Sequence, residues 1–465
     1  MQKIDLTKTK DVIGAYKSID FSYERKTYTD YGTQYCFDVL DGKIVAGYNI
    51  QLACFRHLRD LQRQGDSDFP YVYSVDAFNR FLKFLSLVPN VDDLSQKLEP
   101  MDWQYFIFAQ LFAWFDLDNV PRFSNIIISI ARSQGKTMIA GICLNFSYLI
   151  EIIGQSNQDF LVSSLNFDQT MKLFTYVKSM MARIIENEPF KSLAEETQLQ
   201  LYSREIKSLV DANTIHTISF ESGKFDGKHF KTAISDEVGE LRTDEGISKI
   251  TSGQVNTEGS RFIEISTSYQ TPDVPFHQEQ KKLIEIMERD FDRSGDDQLC
   301  LIWSHNLEEV FKPETWAKSN PLLNHPKLKD GLMKGLLSER DKKLLMGKLA
   351  DFQVKNMNCW LLADSNSFLD LTDIENAVVD EFDIKGKRVY VGLDASMFSD
   401  NTAIGFVYPY VAEDGSQKWH IEQHSFIPWQ QAGSLEAKME QDGVNYRDLE
   451  TKGFCTITSH PQGLI

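Results

Sequence analysis

The sequence lacks any long apolar segment and any closely spaced pair of cysteines. No apolar run approaches the roughly 20 residues that a bilayer-spanning helix needs. The first ten residues also lack the apolar core of a signal peptide. The six cysteines are scattered with no C-x-x-C pair, so we expect reduced thiols in a cytosolic compartment and no structural zinc. The length of 465 residues predicts two or three domains.

Positive charge is in short supply, with 49 Lys and Arg against 67 Asp and Glu. A net charge of −18 argues against a protein that coats nucleic acid with its whole surface. It leaves room for local contact, since a ring or channel protein is able to be acidic outside and basic where DNA passes. Composition alone therefore leaves the partner open.

The most informative stretch is an isoleucine-rich run over residues 125–131, followed by a polar loop and an apolar, helix-compatible segment. The run is typical of a buried strand in a mostly parallel sheet. Strand, loop and helix in this order are the context of a phosphate-binding loop. Backbone amides at the helix N-terminus would face the phosphates, Lys136 would reach their outer oxygens, and the Thr137 hydroxyl would hold Mg²⁺.

This loop departs from the full pattern G-x-x-x-x-G-K-[ST]. Ile130 occupies the first glycine position, and Arg132 enters the loop. The alternative is an ordinary turn between strand and helix whose lysine is merely solvated. We predict a nucleotide site, because an acidic partner follows downstream. The loop residues predicted to bind nucleotide are Arg132, Ser133, Gln134, Gly135, Lys136 and Thr137.

The acidic partner is a short apolar strand that ends in Asp236 and Glu237. Asp236 would hold the hydration shell of Mg²⁺, and Glu237 would orient and deprotonate the attacking water. Two adjacent acids are also common on protein surfaces. At a strand end after a phosphate loop, however, they predict ATP hydrolysis.

A further strand, residues 261–268, ends in small hydroxyl residues. We expect it beside the acidic strand, where Thr267 would sense the γ-phosphate; the alternative is that the hydroxyls cap the next turn. Arg132, Arg242 and Arg261 are candidates for an arginine that stabilises transition-state charge, and the sequence does not choose among them.

The flanking regions are predicted to be helical. Residues 45–63 have apolar residues on one face of the predicted helix and Arg56, Arg59 and Arg63 on the other. We expect these arginines to be solvated; the alternative is that they contact phosphates. Residues 272–378 are predicted to be a charged helical lid and linker, in which residues 338–348 form a solvated face.

A new domain is predicted from about residue 379. Residues 388–395, 402–408 and 417–422 are predicted to form three antiparallel strands joined by short polar turns. An aspartate in the first strand, Asp394, matches the opening of an RNase H-like nuclease, where it would bridge two divalent metals. Alternatively, Asp394 is an ordinary turn or bulge acid.

Taken in order, these features resemble the large subunit of phage terminases, the motor that packages DNA into a procapsid and cuts it. The resemblance covers nearly the whole chain, and an arginine-bearing loop without the first glycine is usual in that family. The motifs that carry it are Leu98-Glu99-Pro100, Trp103-Gln104, the loop 132–137, Asp236-Glu237, Ile265-Ser266-Thr267-Ser268, Trp316 with Asn320-Pro321, and Gly392-Leu393-Asp394.

The resemblance implies an α/β fold. A helical region (1–95) would precede a P-loop ATPase of the additional-strand (ASCE) class with a mostly parallel sheet (96–271). The lid and linker (272–378) and an RNase H-like nuclease domain (379–465) would follow. Gln104 would read the adenine edge, and Trp103 would stack on the base unless it is a core residue.

The resemblance also implies cofactors and partners. The ATPase would use ATP and Mg²⁺, and the nuclease Mg²⁺ or Mn²⁺. Implied partners are double-stranded DNA, a portal protein, a small terminase subunit and further copies in a ring, usually of five, without any membrane. The expected location is the host bacterial cytoplasm, transiently at the procapsid portal.

One departure concerns the nuclease, which in this family needs further carboxylates that would follow Ile465. We therefore expect a truncated sequence or a naturally incomplete nuclease, with little metal-dependent DNA cleavage. Asp394 alone does not hold two metal ions, and Asp400 and Glu422 are poor substitutes. Two alternative functions remain open: a helicase-like DNA translocase, and a nucleotide-binding scaffold without turnover.

Overall fold

A computed structural model describes residues 2–91, 93–361, 377–379, 382–396, 400–412, 415–442 and 444–458. The chain divides between residues 367 and 368 into two compact units, each described here by itself. Among the described residues, no helix is long and apolar enough to cross a membrane. All six cysteines are free and buried, in agreement with the predicted reduced thiols.

The first unit begins with helices, as predicted for residues 1–95. Helix α5 illustrates why they form, since the Ser74 side chain caps its first turn by accepting from the amide of Ala77. Its residues Phe78, Phe81 and Phe84 are buried at helical spacing. The elements are α1 (Val12–Lys17), α2 (Ser22–Thr27), α3 (Tyr31–Leu40), α4 (Tyr48–Arg63), β1 (Tyr71–Tyr73) and α5 (Val75–Leu85).

The arginines of α4 are neither solvated nor available to phosphates, so the prediction for this face is wrong. Arg59 and Arg63 are buried and both pair with the carboxylate of Asp290. Arg56 donates to the carbonyl oxygens of Gln298 (2.9 Å) and Gly295 (2.7 Å). Buried charges need such partners, and the acids and carbonyls come from a distant part of the chain.

An eight-stranded sheet forms the centre of this unit, in the order β10-β3-β9-β8-β4-β7-β6-β5. The six strands from β10 to β7 run parallel, and β6 and β5 are added antiparallel. Its strands are β3 (Asn125–Ser129), β4 (Asp159–Ser163), β5 (Leu199–Leu201), β6 (Ile206–Ser208), β7 (Thr214–Thr217), β8 (Phe230–Asp236), β9 (Arg261–Ser266) and β10 (Gln298–Ile302). A separate strand, β2 (Trp114–Asp116), pairs with β1.

Strand β9 lies between β3 and β8, so the loop-bearing strand and the acidic strand are separated by the additional strand that the ASCE class requires. Because these strands are parallel, their carboxyl ends meet at one edge of the sheet. The helices around the sheet are α6 (Asp102–Ala113), α7 (Lys136–Phe146), α8 (Phe167–Ile184), α9 (Phe190–Glu196), α10 (Glu245–Gln254) and α11 (Pro275–Glu288).

The predicted lid region has a small core of its own. Its main members are Val310, Trp316, Leu323, Phe352 and Met357. Short 3-10 turns cover Pro313–Lys318 and Pro321–Asn324, and two helices follow, α12 (Lys329–Leu345) and α13 (Leu349–Lys355).

The second unit contains the three predicted antiparallel strands. Their order is β11-β12-β13, and a fourth strand, β14, pairs parallel with β13. The elements are β11 (Tyr390–Asp394), β12 (Thr402–Val411), β13 (Gln417–Ile427), α14 (Leu435–Asp442), α15 (Tyr446–Thr451) and β14 (Cys455–Ile457).

Candidate functional site

The phosphate loop follows β3 and turns sharply into α7. Ser133 and Gly135 have positive φ angles of 61° and 81°, a conformation that glycine adopts without steric cost. The loop's first two residues, Ile130 and Ala131, are fully buried. Helix α7 then begins at Lys136, so its N-terminal amides open toward the carboxyl edge of the sheet.

A cavity of about 1020 Å³ lies at this edge. It brings together most of the residues that the sequence predicted to act on a nucleotide, although they are spread over more than 130 positions of the chain. Those lining it are Gln104, Arg132, Ser133, Gln134, Gly135, Lys136, Thr137, Asp236 and Glu237.

Lys136 and Asp236 both line this cavity, and each affects the pKa of the other through its charge. Burial lowers the pKa of Lys136 to about 8, against the opposing effect of the carboxylates of Asp236 and Glu237. Burial likewise raises the pKa of Asp236 to about 6, although Lys136 acts in the other direction. The Lys136 ammonium donates to the carbonyl oxygens of Ile130 (3.2 Å) and Ala131 (3.1 Å). Paired, oppositely perturbed groups of this kind mark functional sites.

Glu237 adopts a left-handed backbone conformation, with φ of 61°. For a residue other than glycine this costs on the order of 1 kcal/mol. Two acceptors hold the turn, because the amide of Glu237 donates to Asp236 Oδ1 and to the carbonyl oxygen of Ile265, both at 2.9 Å. The strained turn directs the chain so that Glu237 lines the cavity.

The end of β9 supports this turn through Ser266. Its hydroxyl accepts from the amide of Gly239 at 3.0 Å. A Cβ on Gly239 would lie 2.8 Å from the carbonyl oxygen of Thr267, so only glycine permits this approach.

Thr267 does not line the cavity, which corrects the prediction that it senses the γ-phosphate. Its side chain is buried, and its hydroxyl donates to Oδ1 of Asn358 at 3.1 Å. The hydroxyl residue of β9 that contacts the turn after Glu237 is Ser266.

Asn358 is a residue that the sequence analysis missed. Its Oδ1 also accepts from the amide of Ser268 at 2.7 Å, and its Nδ2 donates to Ser129 Oγ (3.0 Å) and to the carbonyl oxygen of Trp303 (2.9 Å). It therefore joins the ends of the strands β3, β9 and β10. No motif distinguishes this asparagine, so the sequence carried no signal for it.

Gln134 lines the cavity, but its side chain is already bonded to the lid region. Nε2 donates to Asn320 Oδ1, and Oε1 accepts from the amide of Leu322, both at 3.1 Å. Only 2% of Gln134 is exposed. We therefore predict that Gln134 contacts nucleotide through its backbone and not through its side chain.

Gln104 and Trp103 point in different directions from α6. Oε1 of Gln104 accepts from the amide of Met101 at 2.9 Å, and Nε2 approaches Gly135 of the phosphate loop. Trp103 is buried and packs edge-to-face on Trp303, with ring centroids 5.4 Å apart. The prediction that Trp103 stacks on a base is corrected; it is a core residue because its helical position faces the interior.

The three candidate arginines are separated by the fold. Arg132 is exposed and lines the cavity, and its backbone amide donates to the carbonyl oxygen of Lys355 at 2.9 Å. Arg242 is exposed but does not line the cavity. Arg261 starts β9, at the opposite edge of the sheet, where it is paired with Glu151 at 2.6 Å. Arg132 is therefore the candidate that the geometry retains.

Helix α8 contributes residues that the sequence analysis also missed. Gln169 and Lys172 line the cavity together with Ser164, whose hydroxyl donates to the carbonyl oxygen of Asp236 at 3.1 Å. Their position in the sequence could have indicated them, because they follow β4, which pairs with β8, and so lie at the same edge of the sheet.

In the second unit, Asp394 is exposed at the end of β11. The register Asp394–Ala403–Ser425 places these residues on one face of the sheet. Glu422 is three residues from Ser425, so it lies on the other face. This excludes Glu422 as a second ligand, and Asp400 instead accepts from the amide of Asn401 in a turn. Within the described ranges, no group of three or more potential metal ligands occurs.

Two protein-family models match the sequence. The model "Terminase large subunit, ATPase domain" matches residues 102–283, and "Terminase large subunit, endonuclease domain" matches residues 303–464. The chain belongs to the terminase large subunit family. The predicted resemblance and fold class are thereby confirmed, and the ATPase and nuclease domains identify a phage DNA-packaging motor of an ATPase and endonuclease family.

Solved structures that match this chain include large terminases of three phages. The HK97 bacteriophage large terminase gives a TM-score of 0.50 at 18% identity, covering 82% of this chain and 74% of that one. The ATPase domain of the large terminase from Thermus phage P74-26 gives 0.38 at 13% identity, covering 62% of this chain and 100% of that one. A large terminase of a thermophilic bacteriophage in complex with ADP gives 0.29 at 14% identity, covering 72% of each chain. No curated protein sequence matches this terminase.

Proposed function

We propose that the cavity at the carboxyl edge of the sheet binds ATP and hydrolyses it, and that hydrolysis drives double-stranded DNA into a procapsid. The observation that carries this proposal is the convergence of Lys136, Thr137, Asp236 and Glu237 on one cavity. The sequence placed the ATPase core at 96–271 and a helical lid and linker at 272–378, but β10 (Gln298–Ile302) pairs parallel with β3 in the central sheet. The boundaries that we propose are therefore an ATPase core of 96–302, a lid and linker of 303–378 and a nuclease domain of 379–465.

Each residue has a role that its position supports. Lys136 neutralises the β- and γ-phosphates, and the loop amides before α7 hold their oxygens. Thr137 and Asp236 supply the hard oxygen ligands that Mg²⁺ prefers. When bound, Mg²⁺ offsets the charge that develops on the phosphates.

Hydrolysis itself depends on Glu237. Its carboxylate accepts the proton of the attacking water and fixes the water's direction. The bonds from its amide and from Gly239 to the ends of β8 and β9 keep it in place. Arg132 contributes positive charge at the same cavity, and Gln104 reads the adenine edge.

We also propose the wider assembly that the family implies. It comprises a homo-oligomeric ring of five copies on a portal protein, a small terminase subunit that selects DNA, and location in the host bacterial cytoplasm. Asp394 is proposed as a ligand of Mg²⁺ or Mn²⁺ in the nuclease domain, since its exposed carboxylate ends β11.

The experiment that tests the ATPase proposal compares two variants. Lys136→Ala should abolish hydrolysis, because the phosphates lose their cation. Glu237→Gln should retain ATP binding while turnover falls by about 10²- to 10⁴-fold. Lys191→Ala and Glu186→Gln, both at exposed positions, are matched controls.

The outcomes separate the alternatives. ATP binding with no turnover in the unaltered chain would indicate a nucleotide-binding scaffold. Near-normal turnover in Lys136→Ala or Glu237→Gln would remove the proposed site. Strand unwinding by the unaltered chain would favour the helicase-like translocase.

A further inference from the structure

Helix α12 is unusual in this acidic chain, because its neighbourhood is strongly basic. Residues 327–348 contain seven Lys and Arg and three Asp and Glu, a net charge of +4 against −18 for the whole chain. None of the 17 residues of α12 is fully buried. The prediction of a simple solvated face does not account for this concentration of charge.

One face of α12 is occupied by the lid core. Leu332, Met333, Leu336 and Leu337 are partly buried and pack against the cluster around Trp316 and Phe352. At 100° per residue, these positions fix which side of the helix points outward.

The opposite side is termed the outer face of α12. It consists of Gly331, Lys334, Gly335, Ser338, Asp341, Lys342 and Leu345. Lys334 and Lys342 are exposed and form no ion pair with any described residue, and they lie about 12 Å apart along the helix. The carboxylate of Asp341 is neutralised by Arg340 at 2.7 Å. The outer face therefore presents two unpaired positive charges.

The two glycines add an independent observation. Gly331 and Gly335 lie inside a helix, where glycine is unfavourable relative to alanine. A Cβ at either position would meet nothing within 4 Å, so packing in the described part of the chain does not require glycine there. Glycines between lysines leave the helix backbone open to close approach by another molecule.

We propose that the outer face of α12 contacts the phosphate backbone of double-stranded DNA. The charge complementarity selects a polyanion, and the surface carries no aromatic side chain for stacking on unpaired bases. This inference rests on the proposed action on DNA and names the surface that performs it. Contact through backbone phosphates is independent of sequence, as packaging of a whole genome requires.

The test measures binding of a short labelled DNA duplex by fluorescence anisotropy over a series of salt concentrations, using the full chain. For the pair Lys334→Gln and Lys342→Gln we expect affinity to fall about fivefold or more and the salt slope to decrease by about 2. The control pair Lys83→Gln and Lys191→Gln makes the same change in net charge at other exposed positions and should bind as the unaltered chain does.

A second pair of variants tests the close approach. Gly331→Ala with Gly335→Ala should raise the melting temperature, because alanine favours helix, and should weaken DNA binding. Unchanged DNA binding by these variants would overturn the close approach.

The remaining outcomes are distinct. Equal losses in the Lys334/Lys342 and control pairs, or no loss in either, would overturn the inference while leaving the ATPase proposal intact. Failure of the unaltered chain to bind DNA would overturn the proposed function as well. If sedimentation shows self-association that the Lys334/Lys342 pair abolishes, the occupant of the outer face is a second acidic copy of this chain, and the inference is wrong.

Discussion

The side-chain amide of Gln134 in the phosphate loop donates to Oδ1 of Asn320 at 3.1 Å, across 186 positions of the sequence. Asn320 is itself buried and donates onward to the carbonyl oxygen of Asn356 at 2.8 Å. The lid region thus helps to fix the conformation of the phosphate loop, although the loop motif itself consists of consecutive residues.

Replacing Gln134 should therefore affect both stability and nucleotide binding. Gln134→Ala leaves Asn320 Oδ1 and the amide of Leu322 without a partner, so the free energy of unfolding should fall by about 1–3 kcal/mol. The KM for ATP should rise as the loop loses its support. Denaturant unfolding and steady-state kinetics measure both, with Gln200→Ala at an exposed position outside the cavity as the control. A stability equal to that of the control would contradict the structural role.

The arginine prediction separates chemistry from folding. Arg132→Ala should lower kcat by about 10²-fold or more, because positive charge is lost at the cavity. Arg261→Met should leave turnover per folded molecule unchanged but reduce the free energy of unfolding by roughly 3 kcal/mol, since Glu151 loses its partner. The reverse pattern of effects would show that the wrong arginine was retained.

Neighbouring residues of α6 should differ in the same way. Gln104→Ala is expected to reduce the preference for ATP over GTP by about tenfold, the equivalent of one hydrogen bond. Trp103→Phe should leave that preference intact and lower stability by about 1–3 kcal/mol through lost packing on Trp303. Competition between the two nucleotides and thermal unfolding provide the measurements. A changed nucleotide preference in Trp103→Phe would restore the stacking hypothesis.

Acid should destabilise the protein through His57. Burial lowers the pKa of His57 to about 4. Trp114 Nε1 only donates, so Nδ1 of the neutral ring accepts from it at 3.3 Å, and Nε2 faces the Thr33 hydroxyl at 3.0 Å. Between pH 6.5 and 4 the unfolded chain therefore binds a proton that the folded chain does not.

The contribution of His57 to stability is thus present above pH 6.5 and decreases as the pH falls toward 4, by roughly 3 kcal/mol in total. Comparing denaturant unfolding of the unaltered chain and His57→Gln across this range measures the effect, with His229→Gln at an exposed position as the control. The same pH slope in all three proteins would show that His57 is not the responsible group.

In the second unit, the two acids should behave differently toward metal. With the proposed ATPase ligand removed by Asp236→Asn, weak Mn²⁺ binding, followed by electron paramagnetic resonance, should be lost on adding Asp394→Ala. Adding Glu422→Gln should leave it unchanged, because Glu422 lies on the other face of the sheet. Loss of binding in Glu422→Gln would show that the strand register is wrong.

The features that were predicted correctly from the sequence are local, and those that were misjudged involve distant residues. The isoleucine run of β3, the acids that end β8 and the three strands of the second unit were predictable, because their signals lie within a few consecutive residues. The roles of Arg59, Trp103 and Thr267 were misjudged. Each depends on a partner distant in the chain, and Arg59 with Asp290 spans 231 positions.

The sequence by itself determined the order of the ATPase and nuclease motifs, the chemistry available to the nucleotide site and the family, because apolar patterning and motif spacing are local. Only the tertiary structure decided which of three arginines reaches the cavity, that Gln134 binds the lid, and that Asn358 joins three strand ends. A side chain's role is fixed by what surrounds it, and burial brings together groups whose proximity no local pattern records.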